Sequence, residues 1–290
     1  MKASEKQDLT KKVMARLEKH FGPPTPDADR SVLDTLVYAI CLENEDYASA
    51  AKAYEALQEH FHDLNEIRVS SVTELVIAFR HQSDPELRSH RVRSVLQFVF
   101  EDQFEFDLEA IRKKTQEQAA RKIGKIRELS PFIRNYVQHA ALGAHLVPLD
   151  DRMLAATIWL GLIEPGTTTE AAAEALKPAV RKSDAPVLCH LLRRFTTEAP
   201  GRSAFDPAKF SVPAGGYSAD DALRRVDDLL RGKSKTPASK PKAASKATVK
   251  KPAAKPKASA KPAAKKAKTA TAKRPAADKK PKGGRSRAAT

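Results

Sequence analysis

The residues best placed to do chemistry are few. Asp150 and Asp151 stand at the head of "DDRMLAATIWLGL", directly after Val147-Pro148-Leu149. A carboxylate there has two uses. It can cap the following helix, accepting an N–H and favouring the helix dipole. An ionised carboxylate can also act as a catalytic group that stabilises developing positive charge. His60 and His62 flank Phe61 without further ligands at metal spacing, so no metal site is expected. His190 in "APVLCHLLRRF" and Trp159 are read as core, and Glu43-Asn44-Glu45-Asp46 as a solvated helix end. Glycine-rich phosphate loops, nucleophile elbows and HExxH motifs are absent. Cys41 and Cys189 each lie in an apolar helical pattern and read as buried small hydrophobes, which fits a reducing compartment. Two thiols cannot supply an iron–sulfur cluster or an all-cysteine zinc site, so no cofactor is expected.

The elements that must position these residues are helical. Leu9, Val13, Leu17 and Phe21 recur every four residues, and Gly22-Pro23-Pro24 ends that stripe. Residues 32–42 are apolar nearly all round, as a buried central helix requires. Tyr47–Phe61 is amphipathic, and Ser71-Val72-Thr73-Glu74 has capping-box spacing. Further helices are expected over 89–100, 107–121, 134–142, 151–162, 169–181, 185–195 and 219–230. The fold class is all-α, with any strand incidental.

Charge divides the chain. Residues 231–290 carry 21 Lys+Arg and a single acid, Asp278, whereas residues 1–230 carry 31 basic and 35 acidic side chains. The body alone therefore has no electrostatic signature of nucleic-acid binding. The tail is Lys, Ala and Pro with almost nothing to bury, and disorder is expected of it. Its cations, among them Lys255, Lys257, Lys265, Lys266, Lys273 and Arg274, are expected to condense on DNA without reading bases, with RNA a competing partner. The K-P-A-A-K words resemble tails of linker histones and of some bacterial nucleoid proteins. No stretch reaches the roughly 18 apolar residues of a membrane span, and residues 1–10 lack a signal-peptide core. A cytoplasmic, nucleoid-associated protein is expected. Its oligomeric state stays open.

The order helix, "LSPFIR", helix, then "VPLDDRMLAATIWLG" resembles the endonuclease III branch of the helix–hairpin–helix DNA glycosylases, over about residues 31–195. The resemblance implies a two-lobed helical body followed by the basic tail. Residues 1–30 would supply an N-terminal helix packing on the second lobe, 31–143 a lobe ending in a degenerate hairpin, 144–232 the second lobe and 233–290 the tail. The family's Leu-Pro-Gly-Val-Gly-Arg-Lys-Thr-Ala falls on Leu129 to Val137, and its aspartate on Asp150. By the same carry-over, DNA contacts are expected from Ser130, Phe132, Arg134 and Asn135, from Asn44 near the place of a DNA-inserting glutamine, and from Arg152. His190 falls where the family has a buried histidine.

The departures matter as much. Pro131 and Ile133 occupy the two glycine places. Proline donates no N–H, and a β-branched residue resists positive φ, so phosphate capture there is weakened or rebuilt. Asn135 stands at the lyase lysine, and an amide cannot form a Schiff base. The family's cysteine cluster is missing too. What survives is Asp150, which in such enzymes stabilises an oxocarbenium-like sugar. The reading is an endonuclease III-like DNA-binding protein of base-excision-repair type, tethered by its tail. Monofunctional excision through Asp150 stays open and lyase activity is not expected. The alternatives are a non-catalytic relative and an architectural nucleoid protein.

Overall fold

The computed structural model describes residues 2–25 and 29–232, which fall within one unit of the chain. The tail, with its six named cations and its expected disorder, lies outside the described residues. Among the described residues every regular element is a helix and there is no strand. No helix among them is long and apolar enough to cross a membrane.

Two hydrophobic cores organise the body. The first gathers α2 (Val32–Leu42), α3 (Tyr47–His60), α4 (Leu64–Val69), α5 (Val72–Phe79), α6 (Pro85–Gln103), α7 (Gln116–Gly124) and α8 (Pro131–Ala140). Helix α2 is its axis: ten of its eleven residues are buried, so it has no solvent face. Each fully buried Leu or Ile there contributes roughly 1.5–3 kcal/mol relative to exposure. The second core joins α9 (Asp151–Trp159), α10 (Thr169–Leu176), α11 (Ala185–Thr197), α12 (Gly201–Ala204) and α13 (Ala222–Leu230). The N-terminal helix α1 (Ala3–Phe21) inserts Val13 and Leu17 into this second core, although it precedes the first in sequence.

Local chemistry sets the boundaries. Ser31, Asp46, Asp63, Ser71, Thr115, Ser130, Asp150 and Thr168 each place a side-chain oxygen on the backbone N–H three residues on, starting eight helices. The single helix expected over 107–121 is a correction. A 3-10 turn, Glu109–Lys113, precedes α7, because Thr115 and Gln118 form a capping box that begins a new helix. The helix expected over 169–181 likewise stops at Leu176, where Pro178 turns Lys177–Ala179 into a 3-10 segment. After α9 the chain turns at Gly161 (φ 73°). A Cβ there would lie 2.9 Å from the Ala219 nitrogen and the Tyr217 carbonyl oxygen, so only glycine lets the C-terminal segment cross this closely.

Candidate functional site

The site expected from the sequence lies where the C-terminal end of α2, the hairpin between α7 and α8, and the start of α9 meet. A helix end leaves backbone carbonyls without intrahelical partners and carries partial negative charge. Two buried arginines answer both needs at the end of α2. Arg88, from α6, is 4% exposed and donates through Nη2 to the Glu43 carbonyl (2.7 Å) and through Nη1 to that of Ile40, while Nε bonds the Ser83 carbonyl (2.7 Å). Arg193, from α11 in the second core, donates through Nη1 to the carbonyls of Leu42 (2.8 Å) and Glu45 (3.0 Å).

Asp150 completes this arrangement from α9. Its Oδ1 accepts the Met153 N–H at 2.9 Å and caps the helix. Its Oδ2 accepts the Asn44 N–H at 3.0 Å and pairs with Arg193 Nη1 at 2.9 Å. Both side chains of the pair are almost sealed, at 1% and 2% exposure. Burial opposes the charge of Arg193, yet the Asp150 carboxylate, with smaller contributions from Tyr47 and Tyr136, holds its pKa above the ordinary guanidinium value. Phe132 lies under that guanidinium, its ring centre 4.8 Å away. Asp150 thus sits in an enclosed ion pair linking α9, α11 and the end of α2.

The other expected contacts divide into inward and outward groups. Phe132 is a correction. It is 2% exposed, packed against Tyr136 and Arg193, because the second position of α8 faces the first core. Glu43 and Glu45 also depart from a solvated helix end: Glu45 is buried beside Arg88, and Glu43 pairs with Arg91. Asn44 adopts positive φ (59°) at the turn into α3 and is half-buried. Its amide bonds Asp151 (Nδ2 to Oδ2, 3.4 Å), and its carbonyl accepts Arg152 Nε at 3.1 Å. Arg152 also donates to the Arg202 carbonyl at 2.9 Å. Arg134 pairs with Glu170 at 2.7 Å, and Asn135 is half-buried on α8. His190 stacks on Tyr47, ring centres 4.9 Å apart.

The hairpin has been rebuilt around its own needs. Ser130 caps α8 by accepting the Ile133 N–H at 3.2 Å, and Pro131 brings no N–H to the first turn. Two positions in the first turn of α8 thereby offer no free N–H to an incoming anion. Glu128 carries the positive φ (65°) that turns the loop, and Arg91 holds its carbonyl at 2.9 Å.

Sequence reasoning missed Arg88 and Arg193. A signal was present for Arg193, which interrupts the apolar run of α11, and a fainter one for Arg88, which shares a helical stripe with Val92, Val95 and Val99; a charge in such a stripe must find partners. Those partners are carbonyls and a carboxylate up to 151 residues away, which no local pattern reveals. Cys41 and Cys189 are buried free thiols, one in each core. Among the described residues no group of three or more His, Cys, Asp or Glu side chains is placed to hold a metal.

Comparison with known proteins defines the class at the level of fold. The chain is similar to endonuclease III in a non-covalent complex with DNA, at 14% identity over 78% of this chain and 98% of that one, with a TM-score of 0.54. It is also similar to endonuclease III trapped as a covalent intermediate with DNA, at 13% identity over 65% and 85% of the two chains, with a TM-score of 0.52. No protein-family model and no curated protein matches the sequence. The body has the all-helical fold of the helix–hairpin–helix DNA glycosylases.

Proposed function

We propose that this chain is a DNA-binding protein on a base-excision fold, in which the glycosylase aspartate has passed from chemistry to structure. The observation that carries the reading is the enclosure of Asp150, whose two oxygens are taken by Met153 N–H, Asn44 N–H and Arg193. A carboxylate that stabilises an oxocarbenium-like sugar must approach it closely. Reaching a sugar from this position means leaving Arg193 as an unpaired buried charge, which is strongly unfavourable. Asn135, at the lysine place of the resemblance, offers no amine for a lyase step. DNA as partner is supported by the fold's solved neighbours, which are DNA complexes. The 21 Lys+Arg of residues 231–290 supply the tether, and a protein so equipped works at the nucleoid.

The test is a single-turnover assay of the full chain on duplexes bearing oxidised, alkylated, deaminated and mismatched bases, with base release and strand scission scored separately. The expected outcome is tighter binding to abasic or bent duplex than to intact duplex, with no base released. Release of any base above the uncatalysed rate restores Asp150 as a catalyst and overturns the proposal.

A further inference from the structure

The body is net acidic, but its charge is not uniform. Residues 112–127 hold seven Lys/Arg against one acid, Glu117. This stretch contains α7, the first helix of the hairpin. Ala119 and Ile123 turn into the core, while Gln118, Arg121, Lys122 and Lys125 follow one another at helical spacing on a single face. With Lys114 just before the helix, and Phe98 and Asp102 on α6, this face lines an open groove of about 310 Å³.

The groove's acid is Asp102, bonded to Lys122 at 2.7 Å. That bond, with the added fields of Lys125 and Lys114, holds the Asp102 carboxyl below the usual range, so several cations converge on one place. Lys114, Arg121 and Lys125 are exposed, and none of them forms a salt bridge among the described residues. Lys125 ends α7, which joins the groove to the hairpin loop. Of the amides at the start of α8, Pro131 has none to offer and that of Ile133 bonds Ser130.

We infer that the cationic face of α7 grips the phosphate backbone of duplex DNA through its side chains, in place of the backbone amides at the start of α8. This inference rests on the DNA-binding reading above and adds the element that makes the contact. Cations spread from Lys114 to Lys125 suit a run of phosphates better than one isolated anion, because α7 alone advances roughly 1.5 Å per residue. Side chains of this kind position a duplex without reading its sequence.

The test uses the full chain with a 20-base-pair duplex at several salt concentrations. It compares wild type with the combined variant Arg121→Gln, Lys122→Gln, Lys125→Gln. The control removes equal charge from exposed positions of α1, as Lys11→Gln, Lys12→Gln, Lys19→Gln. Each lost phosphate contact lowers the slope of log K against log salt by about 0.9. The expected result is a slope reduced by about 2–3 in the α7 variant and unchanged in the control. Equal slopes in the α7 variant and wild type, or equal reductions in variant and control, overturn the inference but leave DNA binding intact. Failure of wild type to bind any duplex overturns both. A reduction of the same size on single-stranded RNA overturns the assignment to duplex. Lysine acetylation mapping of wild type gives an independent reading that no folding defect can imitate. Lys114, Lys122 and Lys125 become protected on duplex addition if the inference holds, and unaltered reactivity contradicts it.

Discussion

Asp150 and Arg193 face each other 2.9 Å apart with almost no contact with water, and this governs what a substitution at either residue means. Removing one partner of such a pair strands the other charge and costs about 3–5 kcal/mol. Asp150→Ala is therefore expected to shift the urea midpoint strongly downward, while the double variant Asp150→Leu, Arg193→Met recovers most of the loss, as a double-mutant cycle will show. A carboxylate essential only for chemistry would leave the midpoint nearly unchanged. A second residue-scale expectation concerns Cys41, whose thiol burial pushes up to about 12. Its folded pKa exceeds the unfolded value, so its contribution is complete below about pH 9 and is lost as pH rises toward about 12. Urea midpoints should fall as pH rises from about 9 toward about 12, and the fall should be smaller in Cys41→Ala. The capping role of Asp150 was legible in the sequence, because two acids before an apolar run are a helix start. Its ion pair was not, because Arg193 lies in a different helix and reveals itself only as an interruption of an apolar stripe.

At the scale of the element, the hairpin between α7 and α8 is closed by packing: Ile133 is buried and Ser130 caps α8. Because Ile133 is fully buried and its N–H bonds Ser130, placing a glycine there, as in the hairpin it resembles, removes a core side chain. Ile133→Gly is expected to cost about 2–5 kcal/mol from the lost side chain, and about 1 more from glycine inside a helix. It should gain no DNA affinity. Denaturant unfolding and duplex titration of the same variant check both halves, and tighter binding would show that the hairpin amides still meet phosphate. The helices themselves were largely legible, since stripes such as Leu9, Val13, Leu17 and Phe21 need only local periodicity. The breaks were harder to read. Thr115 starts α7 with a capping box that lies inside an otherwise continuous helical pattern, and Pro178 ends a helix whose alanine-rich run reads as longer.

For the whole molecule, charge and shape fall on different parts of the chain. The 21 Lys+Arg of residues 231–290 follow a body with more acidic than basic side chains, and in the proposed function these cations supply salt-sensitive affinity. If six to ten cations meet phosphates, full-chain affinity falls about 10³–10⁵-fold between 50 and 200 mM salt. Residues 1–232 alone should bind more weakly and with a shallower slope, and equal slopes for the two proteins would remove the tail from the account. The resemblance in helix order extended to the fold, since element order survives when sequence identity has fallen to 13–14%. What the order could not convey is whether a retained carboxylate still faces substrate, because enclosure depends on side chains from three separate helices. The most direct measurement is carbodiimide labelling of carboxyl groups, mapped by mass spectrometry, on the full chain free and bound to abasic duplex. Exposed Asp151 is expected to be modified while Asp150 stays unlabelled in both states. Labelling of Asp150 at a rate near that of Asp151 in the free protein would contradict this expectation.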